Sequence, residues 1–176
     1  MKLSQLLTLA SALSALRLVL AGVLPLFPPE FWVAVYAVAI LTDVLDGPVA
    51  RRTGVACPAG ATLDAWADKA LHVNTAWALV LGDVVPSWWL LLWFIREIIQ
   101  LPMVFIFAHR WRTGVGMPAT RPLGQATSIS LAATIALALV GIPSLWATVL
   151  VGALGLAAGM DYARLHFSTL RLVEVP

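Results

Sequence analysis

Two neighbouring stretches, Asp43-Val-Leu-Asp46-Gly47-Pro-Val-Ala50-Arg51 and Gly60-Ala-Thr-Leu-Asp64-Ala-Trp-Ala-Asp68, set four carboxylates at the ends of two long apolar segments. On helices, the step of three from Asp43 to Asp46 and the step of four from Asp64 to Asp68 each bring two carboxylates onto one face. An ionised aspartate near the middle of a membrane helix costs roughly 2.5–3.5 kcal/mol, and repulsion between neighbours adds to that. Such a cluster is expected to hold a positive charge. Oxygen-only ligands suit a hard divalent cation such as Mg²⁺, Mn²⁺ or Ca²⁺.

The surroundings of the cluster are those of a membrane protein. The 176 residues are 61% hydrophobic and 11% charged, against about 45–50% and about 25% in an ordinary soluble domain. That length accommodates about six membrane helices of ~20 residues. Residues 1–176 are therefore expected to form a single membrane domain with no soluble domain left over. A net charge of +2 gives no reason to expect a nucleic-acid partner. The single cysteine, Cys57, excludes an internal disulfide and a cysteine-based metal site. The apolar N-terminal run lacks a small-residue cleavage site and reads as a retained first helix.

Proline and charge divide the apolar stretches into spans of about Leu6–Leu26, Phe31–Arg51, Ala61–Gly82, Pro86–His109, Pro122–Gly141 and Pro143–His166. The expected fold is all-α, an integral membrane bundle of six transmembrane helices. Six spans return both termini to one side, together with Lys2, Arg51, Arg52, Arg110, Arg112, Arg121, Arg164 and Arg171. The opposite loops carry Glu30 and Asp83 but no lysine or arginine. Basic loops stay cytoplasmic, so both termini and the four aspartates are expected on the cytoplasmic side of the inner or plasma membrane. Trp32, Trp88 and Trp89 fall near outer ends, where an aromatic belt would sit. Arg17, Lys69 and Arg96 fall inside spans.

The pattern Asp43-x2-Asp46-Gly47-x2-Ala50-Arg51-x8-Gly60-x3-Asp64-x3-Asp68 resembles the signature of the CDP-alcohol phosphotransferases. All eight specified residues are present within 26 positions, about a seventh of the chain. The resemblance implies transfer of a phosphatidyl group from CDP-diacylglycerol to a hydroxyl, with release of CMP. It implies two divalent ions, Mg²⁺ or Mn²⁺, held by Asp43, Asp46, Asp64 and Asp68, with Asp68 also acting as general base. Gly47, Ala50 and Gly60 would let the CDP-lipid approach the helix backbone, and Arg51 would bond its phosphate.

The acceptor is read from the flanking residues. Asp64-Ala-Trp-Ala-Asp68-Lys69 resembles a run of the phosphatidylglycerophosphate synthases and the related cardiolipin synthases, and Arg96-Glu97 resembles an Arg-Glu pair of the same branch. Glycerol 3-phosphate, a small phosphorylated alcohol, is the leading acceptor, with Arg96, Arg110 and Arg121 as candidate ligands for its phosphate. Phosphatidylglycerol, inositol phosphate and serine are the other acceptors weighed. Gln100-Leu-Pro-Met103 and Gln125 stand where the glycerophosphate enzymes usually carry positive charge. Adjacent residues diverge on a helix, so Arg96 and Glu97 need not pair and each can be neutralised by another helix.

Arg17 can either reach the site or snorkel to the interface. His72 shares a helical face with Asp68, although hard cations prefer oxygen to imidazole. Asn74 and Thr75 read as interhelical hydrogen-bonding groups, and the small-residue stripe Gly152, Gly155, Gly159 reads as a surface for helix packing or for a homodimer. A reading from a different class is a divalent-cation transporter. It would need polar residues along a path to the outer side, where this sequence is almost purely apolar.

Overall fold

A computed structural model describes the backbone over residues 9–53, 58–101 and 122–173, and side chains over residues 12, 14–42, 66–101 and 122–164. Every regular element among the described residues is a helix. In chain order these are α1 (Leu9–Val23), a 3₁₀ turn (Leu24–Leu26), α2 (Pro29–Thr53), α3 (Pro58–Leu81), α4 (Trp89–Trp93), α5 (residues 95–101), α6 (Pro122–Leu139) and α7 (Leu145–Val173). Pro29, Pro58 and Pro122 each occupy a first helical position, where the missing N–H would have no intrahelical partner. α6, together with the Leu145–Arg164 part of α7, is long and apolar enough to cross a membrane, with only 33% of each window buried inside the protein. A core helix of a soluble protein would be mostly covered. Ser14–Leu26 and Pro29–Thr42 are shorter apolar helical stretches.

The chain divides into two compact units. The first holds α1, α2 and α3 and takes in the end of α6 from Ile135. There α1 packs against both α2 and α3. Its core is built from small and medium side chains, among them Ala21, Ala39, Ala67, Ala76 and Ala78 beside Leu24, Leu71 and Leu79. Small residues let helix backbones approach closely when lipid removes the hydrophobic drive for association. Near the start of α2, Trp32 lies over Gly82, whose added Cβ would sit 3.2 Å from the indole. The Trp32 Nε1–H donates to the Phe27 carbonyl at 2.8 Å. One turn on, the rings of Tyr36 and His72 meet edge to face. The pairs Trp32–Gly82 and Tyr36–His72 run in opposite chain directions, so α2 and α3 are antiparallel.

α3 and α6 stop in the same way. Val84 N–H bonds Leu79 O and Asp83 N–H bonds Val80 O; Ile142 N–H bonds Leu137 O and Gly141 N–H bonds Ala138 O. These are paired six-to-one and five-to-two closures around a left-handed residue. That residue is Gly141 at φ 80° in one case and Asp83 at φ 55° in the other. Aspartate is among the few non-glycine residues that tolerate this region.

The second unit holds α4, α5, the first part of α6 and α7. Here Gly152, Gly155 and Gly159 face Leu92, Ile95 and Ile99. Both series step by three and then four and ascend together, so α4–α5 and α7 are parallel neighbours, and the chain must reverse through α6 between them. The glycine stripe is thus used for packing within one chain. Trp93 Nε1–H donates to Thr148 Oγ1 at 3.1 Å in the same contact. The expected fourth span begins three residues later than Pro86, at Trp89, and is interrupted at Phe94 (φ −111°, ψ 13°). The bonds from Phe94 N–H to Leu90 O and from Ile98 N–H to Phe94 O carry it across the irregularity. Of the expected belt, Trp88 is exposed, whereas Trp32 and Trp89 are buried. Sequence position sets a residue's depth along a helix but not which side faces the neighbouring helix.

The glycine contacts are testable by thermal unfolding in detergent. A Cβ at Gly155 would lie 2.9 Å from Ile95 Cγ2, so Gly155→Val should destabilise the fold by ~1–3 kcal/mol and lower Tm. Gly22 has nothing within 4 Å of an added Cβ, and Gly22→Ala should leave stability unchanged or increase it by up to ~1 kcal/mol, with Tm unchanged or higher.

Candidate active site

The backbone is helical through both halves of the acidic motif, over Pro29–Thr53 and Pro58–Leu81. The helical backbone that the spacing argument requires is therefore present in both halves. At 100° per residue, Asp43, Asp46, Gly47 and Ala50 share one face of α2, while Gly60, Asp64, Asp68 and His72 form a slowly drifting stripe along α3. Side chains at such steps are neighbours along the helix surface. The side chains of Asp43, Asp46, Ala50, Arg51 and Asp64, and the surroundings of Gly47 and Gly60, lie outside the described residues, as do Arg110 and Arg121 in full. Among the described residues no group of three or more His, Cys, Asp or Glu stands together. Asp68 is the one member of the four whose carboxylate is described.

Asp68 is partly exposed, its side chain retaining 34% of its accessible surface. His72, one turn later, is buried at 5% exposure. Its Nδ1 lies 2.8 Å from the Asp68 carbonyl oxygen and 3.3 Å from Asp68 Oδ1. A carbonyl oxygen only accepts, so Nδ1 carries the hydrogen. Tyr36 of α2 stands against the imidazole, with ring centroids 6.2 Å apart and planes at 85°. Nothing in the spacing of the sequence beyond the four-residue step announced this grouping, because Tyr36 comes from another helix. Arg17 of α1 is completely buried. It does not snorkel, and it belongs to the same packed unit as Asp68.

Arg96 occupies a different environment. Its Nε and Nη2 both donate to Glu97 Oε1, Nε at 2.9 Å. Its Nη1 donates to the Gly124 carbonyl at 2.6 Å and to Ser128 Oγ at 3.0 Å. The two adjacent residues do pair: the long arginine side chain folds back to its neighbour while its far nitrogen reaches α6. Four of the five guanidinium N–H groups are accounted for by these bonds. Glu97 Oε2 is buried with no hydrogen-bond partner among the described residues. Gly124 also admits Tyr162 of α7, whose hydroxyl would stand 3.2 Å from an added Cβ. Arg96 therefore ties the start of α6 to α5 and has one N–H left for anything else. The partner that sequence could not reveal is the Gly124 carbonyl, since a backbone acceptor leaves no signature in residue type.

The sequence model of the CDP-alcohol phosphatidyltransferase family matches residues 4–158. The chain is also 34% identical over 164 residues to a protein of Streptomyces coelicolor named cardiolipin synthase (CMP-forming), an alignment that covers 86% of this chain and 74% of that one.

The Arg96 pair makes a stability test. Arg96→Met leaves the Glu97 carboxylate without its partner and should destabilise the fold by ~1–3 kcal/mol, the cost of an unsatisfied charged group, and lower Tm. Adding Glu97→Gln removes that charge and should recover much of the loss. A double variant no more stable than Arg96→Met would show that the pair does not matter.

Proposed function

The chain belongs to the CDP-alcohol phosphatidyltransferase family, and on that premise we propose that it is a six-span membrane enzyme transferring a phosphatidyl group from CDP-diacylglycerol to a hydroxyl acceptor, with release of CMP. The observation that carries the reading is the complete eight-residue motif on two continuous helices within the family match. The antiparallel register of α2 and α3 supports it. Residue numbers of facing pairs sum to 114 for Trp32–Gly82 and 108 for Tyr36–His72. Continued along both helices, sums of 108 to 114 set Asp43 against residues 65–71 and Asp46 against residues 62–68, stretches that include Asp68 and Asp64.

The donor set fits hard divalent cations, since all four ligands are carboxylates. Asp43, Asp46, Asp64 and Asp68 would hold Mg²⁺ or Mn²⁺, which supplies neutralisation of the pyrophosphate when bound. The chain's own residues do the rest. Gly47, Ala50 and Gly60 leave room for the cytidine and pyrophosphate against the helices, and Arg51 bonds phosphate oxygens with its planar fork. Asp68 takes the acceptor's hydroxyl proton as that oxygen attacks the lipid-side phosphorus. The bond from this phosphorus to the bridging oxygen breaks, and CMP departs with the electron pair. Both the site and the termini face the cytoplasm on this reading.

Of the acceptors, phosphatidylglycerol gains support from the relative named cardiolipin synthase. It gains further support from Arg96, whose charge is already met by Glu97 and whose Nη1 is taken by Gly124 and Ser128. Phosphatidylglycerol brings no phosphate dianion and needs no arginine clamp. Glycerol 3-phosphate is the second reading, with which Asp64-Ala-Trp-Ala-Asp68-Lys69 is equally compatible, and Arg110 and Arg121 are left to bind its phosphate.

Purified protein supplied with radiolabelled CDP-diacylglycerol, Mg²⁺ and each acceptor in turn should form labelled lipid and CMP in equal amounts, cardiolipin being the product with phosphatidylglycerol. EDTA should abolish turnover, and Asp68→Asn should lower kcat by roughly 10²–10⁴-fold. Labelled phosphatidylglycerophosphate in place of cardiolipin would select the second acceptor; no transfer to any hydroxyl would overturn the function.

A further inference from the structure

We propose that His72 is a positioning residue for the Asp68 carboxylate, its Nδ1–H seating one carboxylate oxygen so that the other meets the acceptor hydroxyl in a fixed orientation. The inference rests on the reading of Asp68 as general base and adds to it a residue outside the eight-residue motif.

Four observations carry it. The Asp68 carbonyl at 2.8 Å fixes the tautomer with hydrogen on Nδ1, and the same N–H lies 3.3 Å from Oδ1. The hydrogen bond goes to the carbonyl, and the carboxylate oxygen stands beside it, close to the same N–H. The carboxylate is partly exposed and would otherwise sample several rotamers on the helix surface. The imidazole itself has little freedom: it is buried, and Tyr36, itself buried, stands edge-on against it. Finally, Nε2 is buried with no hydrogen-bond partner among the described residues. A ring kept for packing alone would do better without that orphan acceptor, since leaving a buried acceptor unpaired is costly while an apolar group of the same shape is not. What the imidazole contributes that phenylalanine would lack is the Nδ1 donor, bonded to the Asp68 carbonyl with the carboxylate 3.3 Å away.

Two substitutions separate positioning from packing because they err in opposite ways. His72→Phe keeps the ring, its volume and its edge contact with Tyr36, and loses the donor. His72→Asn loses the ring and keeps an amide N–H near the place of Nδ1. Positioning predicts that His72→Phe lowers kcat by roughly 10- to 100-fold, the scale of a small misplacement of a reacting group. The KM for CDP-diacylglycerol should not change, and His72→Asn should recover most of kcat. Packing predicts the reverse order, and finding that order overturns the proposal. So does a His72→Phe enzyme with wild-type kcat, or a folded His72→Asn enzyme no faster than His72→Phe. Should His72→Phe fail to fold, the comparison becomes His72→Asn against His72→Ala, and equal kcat values overturn the proposal. Asp68→Asn is measured alongside. If it turns over at the wild-type rate, the assignment of the base has failed. If it is inactive while His72→Phe turns over at the wild-type rate, the base stands and the positioning role falls.

Discussion

A backbone surrounded by apolar side chains and hydrocarbon has to bond to itself, and the rest of this structure follows from that requirement. It makes every regular element among the described residues a helix. It leaves ends to be closed, and α3 and α6 close theirs with the same left-handed turn. With the backbone satisfied within each helix, association relies on close contact. Alanines in the first unit and the stepped glycines of α7 in the second supply it. Buried charge among the described residues is met by a partner where Arg96 is held by Glu97, Gly124 and Ser128, and the partly exposed Asp68 carboxylate lies near His72. Four aspartates within 26 residues of an apolar chain are costly, and the proposed cations would offset that cost.

Much of this was legible in the sequence, for reasons that differ from element to element. Pro122 announces a helix start because of what proline lacks, and α6 begins there; α2 and α3 begin at Pro29 and Pro58, two and three residues ahead of the expected Phe31 and Ala61. The expected ends of the third and fifth spans, Gly82 and Gly141, fall within two residues of Leu81 and Leu139. The faces of Asp43–Asp46 and Asp64–Asp68 follow from helical period alone, and the motif they form places the chain in its family. What escaped depends on a second helix. Burial of Trp32 and Trp89, the contact of Tyr36 with His72, and the use of the glycine stripe against Leu92, Ile95 and Ile99 are all facts of azimuth and neighbour. Arg96 is the clearest case. A charged residue inside a span reads as functional, yet most of its donors serve the protein's own architecture.

That distinction bears on the acceptor. A phosphorylated acceptor asks for free positive charge beside the base, whereas a lipid alcohol asks only for access from the membrane. With Arg96 engaged by its own chain, the burden of a phosphate dianion would fall on Arg110 and Arg121. The family resemblance constrains the donor half of the reaction tightly, through eight residues of fixed type. The acceptor half has no such motif here, and the flanking residues and the relative's name point to neighbouring but different alcohols.

The central claim is that the four aspartates on α2 and α3 form the divalent-metal centre of a phosphatidyl transferase. Binding of Mn²⁺ to the purified protein with CDP-diacylglycerol, followed by electron paramagnetic resonance, tests it most directly. The account predicts two ions bound per chain in the wild type and marked weakening of both in Asp64→Asn, with Asp68→Asn retaining substantial binding. A wild-type protein that binds no Mn²⁺, or an Asp64→Asn protein that binds it as the wild type does, would contradict the account.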